Sequence, residues 1–231
     1  MYNTYSMHEA YIFDVDGVIT DPVEKKVTKL ELIEILAIKI QQNVPVALIS
    51  GRGLIWLRKQ VVSLLETYLD DHPEMDKKKL DNLYVSGEFG GVYYIHTDGV
   101  GKELINQDFF IPQKLRDTLN KTAEQFEDTG FVEHDKQTQF TIEAHSGKDF
   151  FKDNGEEIVA VLRKDIAAYP QLQAVFDRIG MNVKNENANK RHAIKQYLQW
   201  LEEKGFTPEK FYVFGDSPSD LEMGEELNAQ G

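Results

Sequence analysis

Asp14 and Asp16 stand two residues apart at the end of the apolar run Tyr11-Ile12-Phe13, with Gly17 directly after them. Two carboxylates this close repel each other unless a cation or a shared proton compensates. The apolar run predicts a buried strand, and open α/β sheets bind their ligands at the carboxyl ends of strands. The pair therefore suits a Mg²⁺ site in which one carboxylate is free to act as a nucleophile. Two more apolar runs end the same way. Residues 44–49 lead into Ser50-Gly51-Arg52-Gly53, and residues 211–214 lead into Gly215-Asp216-Ser217-Pro218-Ser219-Asp220. Lys190 opens a helical pattern between them.

In a parallel sheet these strand ends share one edge, so Asp14, Asp16, Ser50, Lys190, Asp216 and Asp220 are expected to converge. Phosphoryl transfer fits that set. Mg²⁺ prefers hard oxygen ligands and keeps several waters, and Asp14 and Asp216 are expected to hold it, with the backbone carbonyl of Asp16. Asp14 can attack phosphorus and form an aspartyl-phosphate. Asp16 can protonate the leaving oxygen and then activate water, provided that the two acids sit in unequal environments. Ser50 and the Gly51 amide are placed to bind phosphate oxygens at a helix start. Lys190 supplies fixed positive charge.

The elements that must position these groups follow from periodicity. Residues 11–15, 44–49 and 83–85 read as strands, separated by helices over 27–42 and 54–69. That rhythm implies a parallel sheet flanked by helices. It breaks at residue 90. Residues 90–95 read as one arm of a hairpin, 112–126 and 155–168 as helices, and 131–134 with 138–145 and 173–178 with 181–184 as antiparallel pairs. After Asn185 the first rhythm resumes, with a helix over 190–204, the strand 211–214 and a last helix from about Ser219. The expected organisation is a discontinuous core, 1–86 plus 187–231, with an α+β unit over 87–186 inserted into it.

Composition narrows the partners. The 231 residues carry a net charge of −13 and 41% hydrophobic residues. So acidic a surface argues against nucleic acid and anionic lipid, and it requires any phosphate site to be locally positive. No apolar stretch is long enough to span a membrane, and residues 1–10 do not read as a signal peptide. Cysteine is absent, which excludes disulfides and thiolate metal sites and fits a cytoplasmic protein.

Asp14-Val15-Asp16-Gly17-Val18-Ile19-Thr20, Leu48-Ile49-Ser50-Gly51-Arg52, Lys190 and Gly215-Asp216-Ser217-Pro218-Ser219-Asp220 resemble, in order, the four motifs of the haloacid dehalogenase superfamily. The inserted unit stands where that family places its larger α+β cap. The arrangement looks like the group of sucrose-phosphate, trehalose-phosphate and mannosyl-3-phosphoglycerate phosphatases and phosphomannomutase. The resemblance implies a Rossmann-like core with a cap that closes over the site and selects the leaving group. It also implies Mg²⁺ as cofactor and a small phosphorylated metabolite, such as a sugar phosphate, as substrate. Carried over, it makes Asp14 the nucleophile, Asp16 the acid/base, Ser50 and Lys190 phosphate ligands, and Asp14, Asp16, Asp216 and Asp220 the metal site. The chain departs from the pattern at Arg191, where glycine is common, and at Ser219, where asparagine is common. The family's fold also continues past the fourth motif into a further strand, so residues 211–214 are expected to form an exposed edge.

Plainer readings compete at several positions. Asp-x-Asp-Gly suits a calcium loop, but Val18 and Lys25 break the EF-hand pattern. Ser50-Gly51-Arg52 suits an ordinary helix cap, and Asp220 a first-turn acid. Arg52 reads equally as a substrate contact or a solvent-facing cation. His96-Thr97-Asp98-Gly99 reads as a hairpin turn, His134 and His145 as surface residues, and Trp56 and Trp200 as core. Two other functions use the same fold: a phosphotransferase of the phosphomannomutase kind, and a non-catalytic binding or regulatory protein.

Overall fold

A computed structural model describes residues 8–145, 150–176 and 180–230. The chain divides into two compact units, Met1–Leu104 with Asn189–Gly231, and Ile105–Ala188. The expected division at residue 86 falls before a hairpin that belongs to the first unit.

The first unit is built on six strands: β1 (Glu9–Asp14), β2 (Val46–Ile49), β3 (Leu83–Gly87), β4 (Val92–Thr97), β5 (Val100–Ile105) and β10 (Lys210–Phe214). Their order is β10-β1-β2-β3-β4-β5. The pairs β10–β1, β1–β2 and β2–β3 are parallel, and β4 runs antiparallel to β3. The mixed sheet explains the shifted boundary, because β4 and β5 extend the core sheet. Asp98 and Gly99 turn between them with φ of 53° and 76°, the left-handed pair that a tight hairpin needs. The Asp81 carboxylate accepts both of their amides.

Side-chain alternation along a strand decides which groups face which helices. On β1, Ile12 packs with Ala47, Ile49 and Tyr84 against Ala193, Ile194, Tyr197 and Leu201 of α6 (Lys190–Glu203) and Met223 of α7 (Leu221–Gln230). Asp14, two residues on, therefore emerges on the side where α6 begins. The opposite side of β1 and β10 carries an aromatic ladder. Tyr11 stacks on Tyr212 at 4.8 Å and Phe13 on Phe214 at 4.7 Å. Strand β10 is an edge of the sheet, and Phe214 is 41% exposed.

The helices follow the apolar spacing, with adjusted ends. Helix α1 (Leu30–Gln41) buries Ile33, Leu36, Ala37 and Ile40. It starts at Leu30, not 27, because the preceding segment is held in a turn by Asp21, whose carboxylate accepts the Val23 and Glu24 amides. The expected helix over 54–69 runs instead as α2 (Leu54–Leu57), a π-helical turn over Arg58–Val62, and α3 (Ser63–Asp71). A π turn adds a residue to one helical turn and is often found beside functional sites.

The second unit has a four-stranded antiparallel sheet of β6 (Gly130–Val132), β7 (Gln139–Ala144), β8 (Leu172–Phe176) and β9 (Gly180–Asn185), in the order β6-β7-β9-β8. The expected strand over 173–178 passes out of the described residues after Phe176. One face (Phe140, Ile142, Met181 and Val183 among its residues) packs with Leu115 and Leu119 of α4 (Gln113–Ala123) and Val159 and Leu162 of α5 (Phe150–Asp165). The other face is polar yet largely buried. Lys136 pairs with Glu133 at 2.7 Å and donates to Thr141 Oγ1 at 2.9 Å, and that hydroxyl donates to Asn182 Oδ1 at 2.8 Å. No helix among the described residues is long and apolar enough to cross a membrane.

His96 on β4 is buried, with Nε2 3.7 Å from Glu66 and Nδ1 lacking a partner. Burial pulls its pKa below 6.5, and the Glu66 carboxylate offsets only part of that. As pH falls below 6.5 the unfolded chain binds a proton that the fold does not, so stability falls with pH until the lower folded value is passed. His96→Phe is therefore expected to flatten the thermal-unfolding midpoint between about pH 6.5 and 5. An unchanged slope in that window would assign it to other groups.

Candidate active site

Asp14 ends β1 and is 6% exposed. Its Oδ1 accepts a hydrogen bond from Lys190 Nζ at 2.8 Å. Lys190 is the first residue of α6, whose N-cap, Asn189, accepts the His192 amide. The same ammonium donates to Asp220 Oδ1. Asp220 is buried, and its second oxygen accepts from Ser217 N at 2.8 Å and Ser217 Oγ at 2.7 Å. This is a capping box at the short 3₁₀ turn Pro218–Asp220. Asp220 thus caps the turn with one oxygen and binds Lys190 with the other.

Asp14, exposed Asp216 and Asp220 each place a carboxylate oxygen within 4.8 Å of the others. Gly17 makes this approach feasible. Its φ is +80°, and a Cβ there would lie 2.0 Å from Asp216 Oδ2. The side chain of Asp16 is not in that cluster. It turns toward the second loop, where Arg52 Nε lies 3.2 Å from both of its oxygens and an Arg52 terminal nitrogen 3.1 Å from Oδ1. Ser50 Oγ donates to Asp16 Oδ2 at 3.4 Å and accepts the Arg52 amide at 3.1 Å. Gly51 lies under the ring of Phe89, which a Cβ would meet at 2.6 Å.

The residues at the strand ends therefore fall into two linked groups. One is Asp14, Lys190, Asp220 and Asp216; the other is Asp16, Arg52, Ser50 and Gly51. Arg52 is not a solvent-facing cation: its side chain is 15% exposed and its guanidinium grips Asp16. Trp56, expected in the core, is half-buried, with the Arg52 guanidinium 5.1 Å from its ring centroid. Trp200 does lie in the core.

Sequence reasoning also missed the loop behind Gly51. Glu88, Phe89 and Gly90 have φ of 52°, 55° and 90°. Two consecutive non-glycine residues in that region store strain. They are held there because Glu88 N donates to Arg52 O at 3.0 Å and Phe89 N to Ser50 O at 3.1 Å. The glycines of Gly87-Glu88-Phe89-Gly90-Gly91 were the available signal.

The electrostatics favour a bound cation. Burial raises the pKa of Asp14 from 3.8 to about 6, against the opposing pull of Lys190. Burial alone would lower Lys190, but the Asp14 and Asp220 charges outweigh it and raise its pKa. Burial also works against ionised Asp220, yet its bonds from Lys190 and Ser217 bring its pKa below 3.8. Four carboxylates (Asp14, Asp16, Asp216, Asp220) face two fixed cations (Lys190, Arg52). The two uncompensated charges and the all-oxygen donor set suit a hard divalent ion such as Mg²⁺. Asp14 and Asp216 are the open donors, because Asp220 already spends both oxygens on protein groups.

Among solved structures, the fold is similar to the C-terminal domain of a trehalose-6-phosphate phosphatase from C. albicans. The TM-score is 0.68 at 18% identity, over 97% of this chain and 75% of that one. A haloacid dehalogenase-like hydrolase from Bacteroides thetaiotaomicron gives 0.67 at 13% identity, over 95% and 85%. The IMP-nucleotidase of Plasmodium falciparum gives 0.61 at 14% identity, over 95% of this chain but only 56% of that one. No curated protein matches in sequence. Residues 74–228, which include Lys190, Asp216 and Asp220, match the haloacid dehalogenase-like hydrolase family. A match over that share of the sequence, joined to this fold, makes the chain a member of the haloacid dehalogenase-like hydrolases.

Proposed function

We propose that the protein is a Mg²⁺-dependent phosphatase that hydrolyses a small phosphomonoester, of the sugar-phosphate class, through an aspartyl-phosphate on Asp14. The observation that carries this reading is a buried carboxylate at a strand's end, bonded to a buried lysine and next to a second open carboxylate. Similarity to phosphatases and a nucleotidase supports the reaction class.

The steps follow from the residues. Lys190 and the Ser50–Gly51 segment hold the phosphoryl group, and Lys190 offsets its charge. A carboxylate oxygen of Asp14 attacks phosphorus as the bond to the leaving oxygen breaks. Asp16 gives that oxygen its proton. Asp16 then takes a proton from water as the water oxygen attacks phosphorus, which frees Asp14 and inorganic phosphate. Mg²⁺ at Asp14, Asp216 and the backbone carbonyl of Asp16, beside Asp220, would supply charge stabilisation on the phosphate oxygens. The second unit is the proposed cap, and similarity to a trehalose-6-phosphate phosphatase supports a sugar phosphate as the substrate class.

A screen of sugar phosphates, polyol phosphates and nucleotides is expected to release inorganic phosphate only with Mg²⁺, and EDTA to abolish it. Asp14→Asn is expected to lower kcat by at least about a thousandfold. Undiminished turnover in Asp14→Asn would remove the nucleophile assignment. Isomer interconversion without phosphate release would replace hydrolysis by phosphoryl transfer.

The same carboxylate should cost stability. Its raised pKa means that an ionised Asp14 at pH 7 destabilises the cation-free fold by on the order of 3 kcal/mol. Sign follows from linkage: between 3.8 and about 6 the fold binds the extra proton, so this group's contribution falls as pH rises through that window and stays low above it. In EDTA at pH 7, Asp14→Asn is expected to unfold at a higher temperature than the wild type, and added Mg²⁺ to raise the wild type more than the variant. A variant that melts lower in EDTA would show that the Lys190 pairing outweighs burial.

A further inference from the structure

Arg52 is held more firmly than a solvent-facing cation needs. Its amide donates to Ser50 Oγ, and its carbonyl accepts the Glu88 amide at 3.0 Å, from the strained turn at residues 88–90. Its side chain is 15% exposed and lies 5.1 Å from the Trp56 ring centroid. A guanidinium fixed at its backbone and against an aromatic ring is a directional group. Nε within 3.2 Å of both Asp16 oxygens and a terminal nitrogen 3.1 Å from Oδ1 constrain the carboxylate's rotation as well as its position.

We infer that Arg52 is the positioning residue for Asp16, holding its carboxylate aimed for the water-activating half of the reaction. The inference rests on the aspartyl-phosphate reading above. A carboxylate gripped this way accepts every hydrogen bond it makes, which is the form a general base takes. In the second half-reaction one water O–H bond breaks, its proton passes to Asp16, and the water oxygen forms the new bond to phosphorus as the bond from phosphorus to Asp14 breaks. Proximity catalysis of this kind is sensitive to small misplacement of the base. Loss of Arg52 should therefore slow breakdown of the aspartyl-phosphate more than its formation.

The test uses p-nitrophenyl phosphate with Mg²⁺, because nitrophenolate leaves without needing a proton. Arg52→Gln is expected to lower kcat by about 10- to 100-fold and KM in proportion, so that kcat/KM holds to within a few-fold. Stopped-flow mixing should show a burst of nitrophenolate approaching one equivalent per active site, larger than in the wild type. Arg52→Lys, which keeps the charge without the fork, should lie between. Trp56→Leu, which removes the ring beneath the guanidinium, should shift kcat and KM the same way by less, and keeps the test open if Arg52→Gln does not fold. A higher KM with kcat retained would make Arg52 a substrate ligand instead. Unchanged kinetics, or a fall in kcat without a burst, would also overturn the assignment. A wild type that is inactive, or an active Asp14→Asn, would instead remove the aspartyl-phosphate reading and this role with it.

Discussion

The buried ammonium of Lys190, bonded to Asp14 and Asp220, is the constraint on which the first unit is arranged. Taking three charges out of water is expensive, and only close opposite charges and further hydrogen bonds recover the cost. The chain supplies those from distant places: the end of β1, the first residue of α6, and the turn after β10. Each must be correctly placed for the others to be tolerated. Parallel pairing of β10 with β1 sets Phe13 beside Phe214, so the Asp14 and Asp216–Asp220 segments emerge side by side. The α6 side chains packed beneath Ile12 fix where Lys190 arrives. The hydrophobic register thus decides the charge geometry, and the charges in turn penalise any slip of the register.

Much of this was legible because the acids follow apolar strands, and a strand's period of two leaves little choice of face. The aim of Asp16 was not legible, because a residue just beyond a strand end has lost that period. It lies after Val15, where Gly17 turns the chain, and its direction is set by Arg52 from another loop. Trp56 was misassigned for a related reason. Its helical spacing suits burial, but it lies near the start of α2, where the side chain is free to reach the loop. The hairpin of β4 and β5 was recognised locally but placed in the wrong unit. Periodicity finds a strand without naming the sheet that it joins.

The loop that grips Asp16 is itself held by the turn behind it. The turn at residues 88–90 accepts unfavourable backbone angles, and its amides hold the carbonyls of Ser50 and Arg52. Strain stored in one segment thereby restricts the segment next to it. The second unit follows a different rule. Its sheet devotes one face to a conventional apolar core and on the other keeps a charged pair, Lys136 with Glu133, joined through Thr141 to Asn182. Burying such a pair costs desolvation that apolar residues would avoid, and the cost is offset because each polar group has a partner.

The chain has two tryptophans, and they occupy opposite environments. Trp200 is buried, with Tyr84, Tyr197 and Phe206 ring centroids within 5.9 Å. Trp56 is partly open to water, with a cation near its ring. Indole emission moves to shorter wavelength in an apolar surround and responds to a nearby charge. A cation lies near each ring, Arg52 by Trp56 and Lys204 Nζ 6.0 Å from Trp200, so burial is what separates the two. The blue edge of the spectrum is expected to follow Trp200 and the core, and the red edge Trp56 and the loop that carries Arg52.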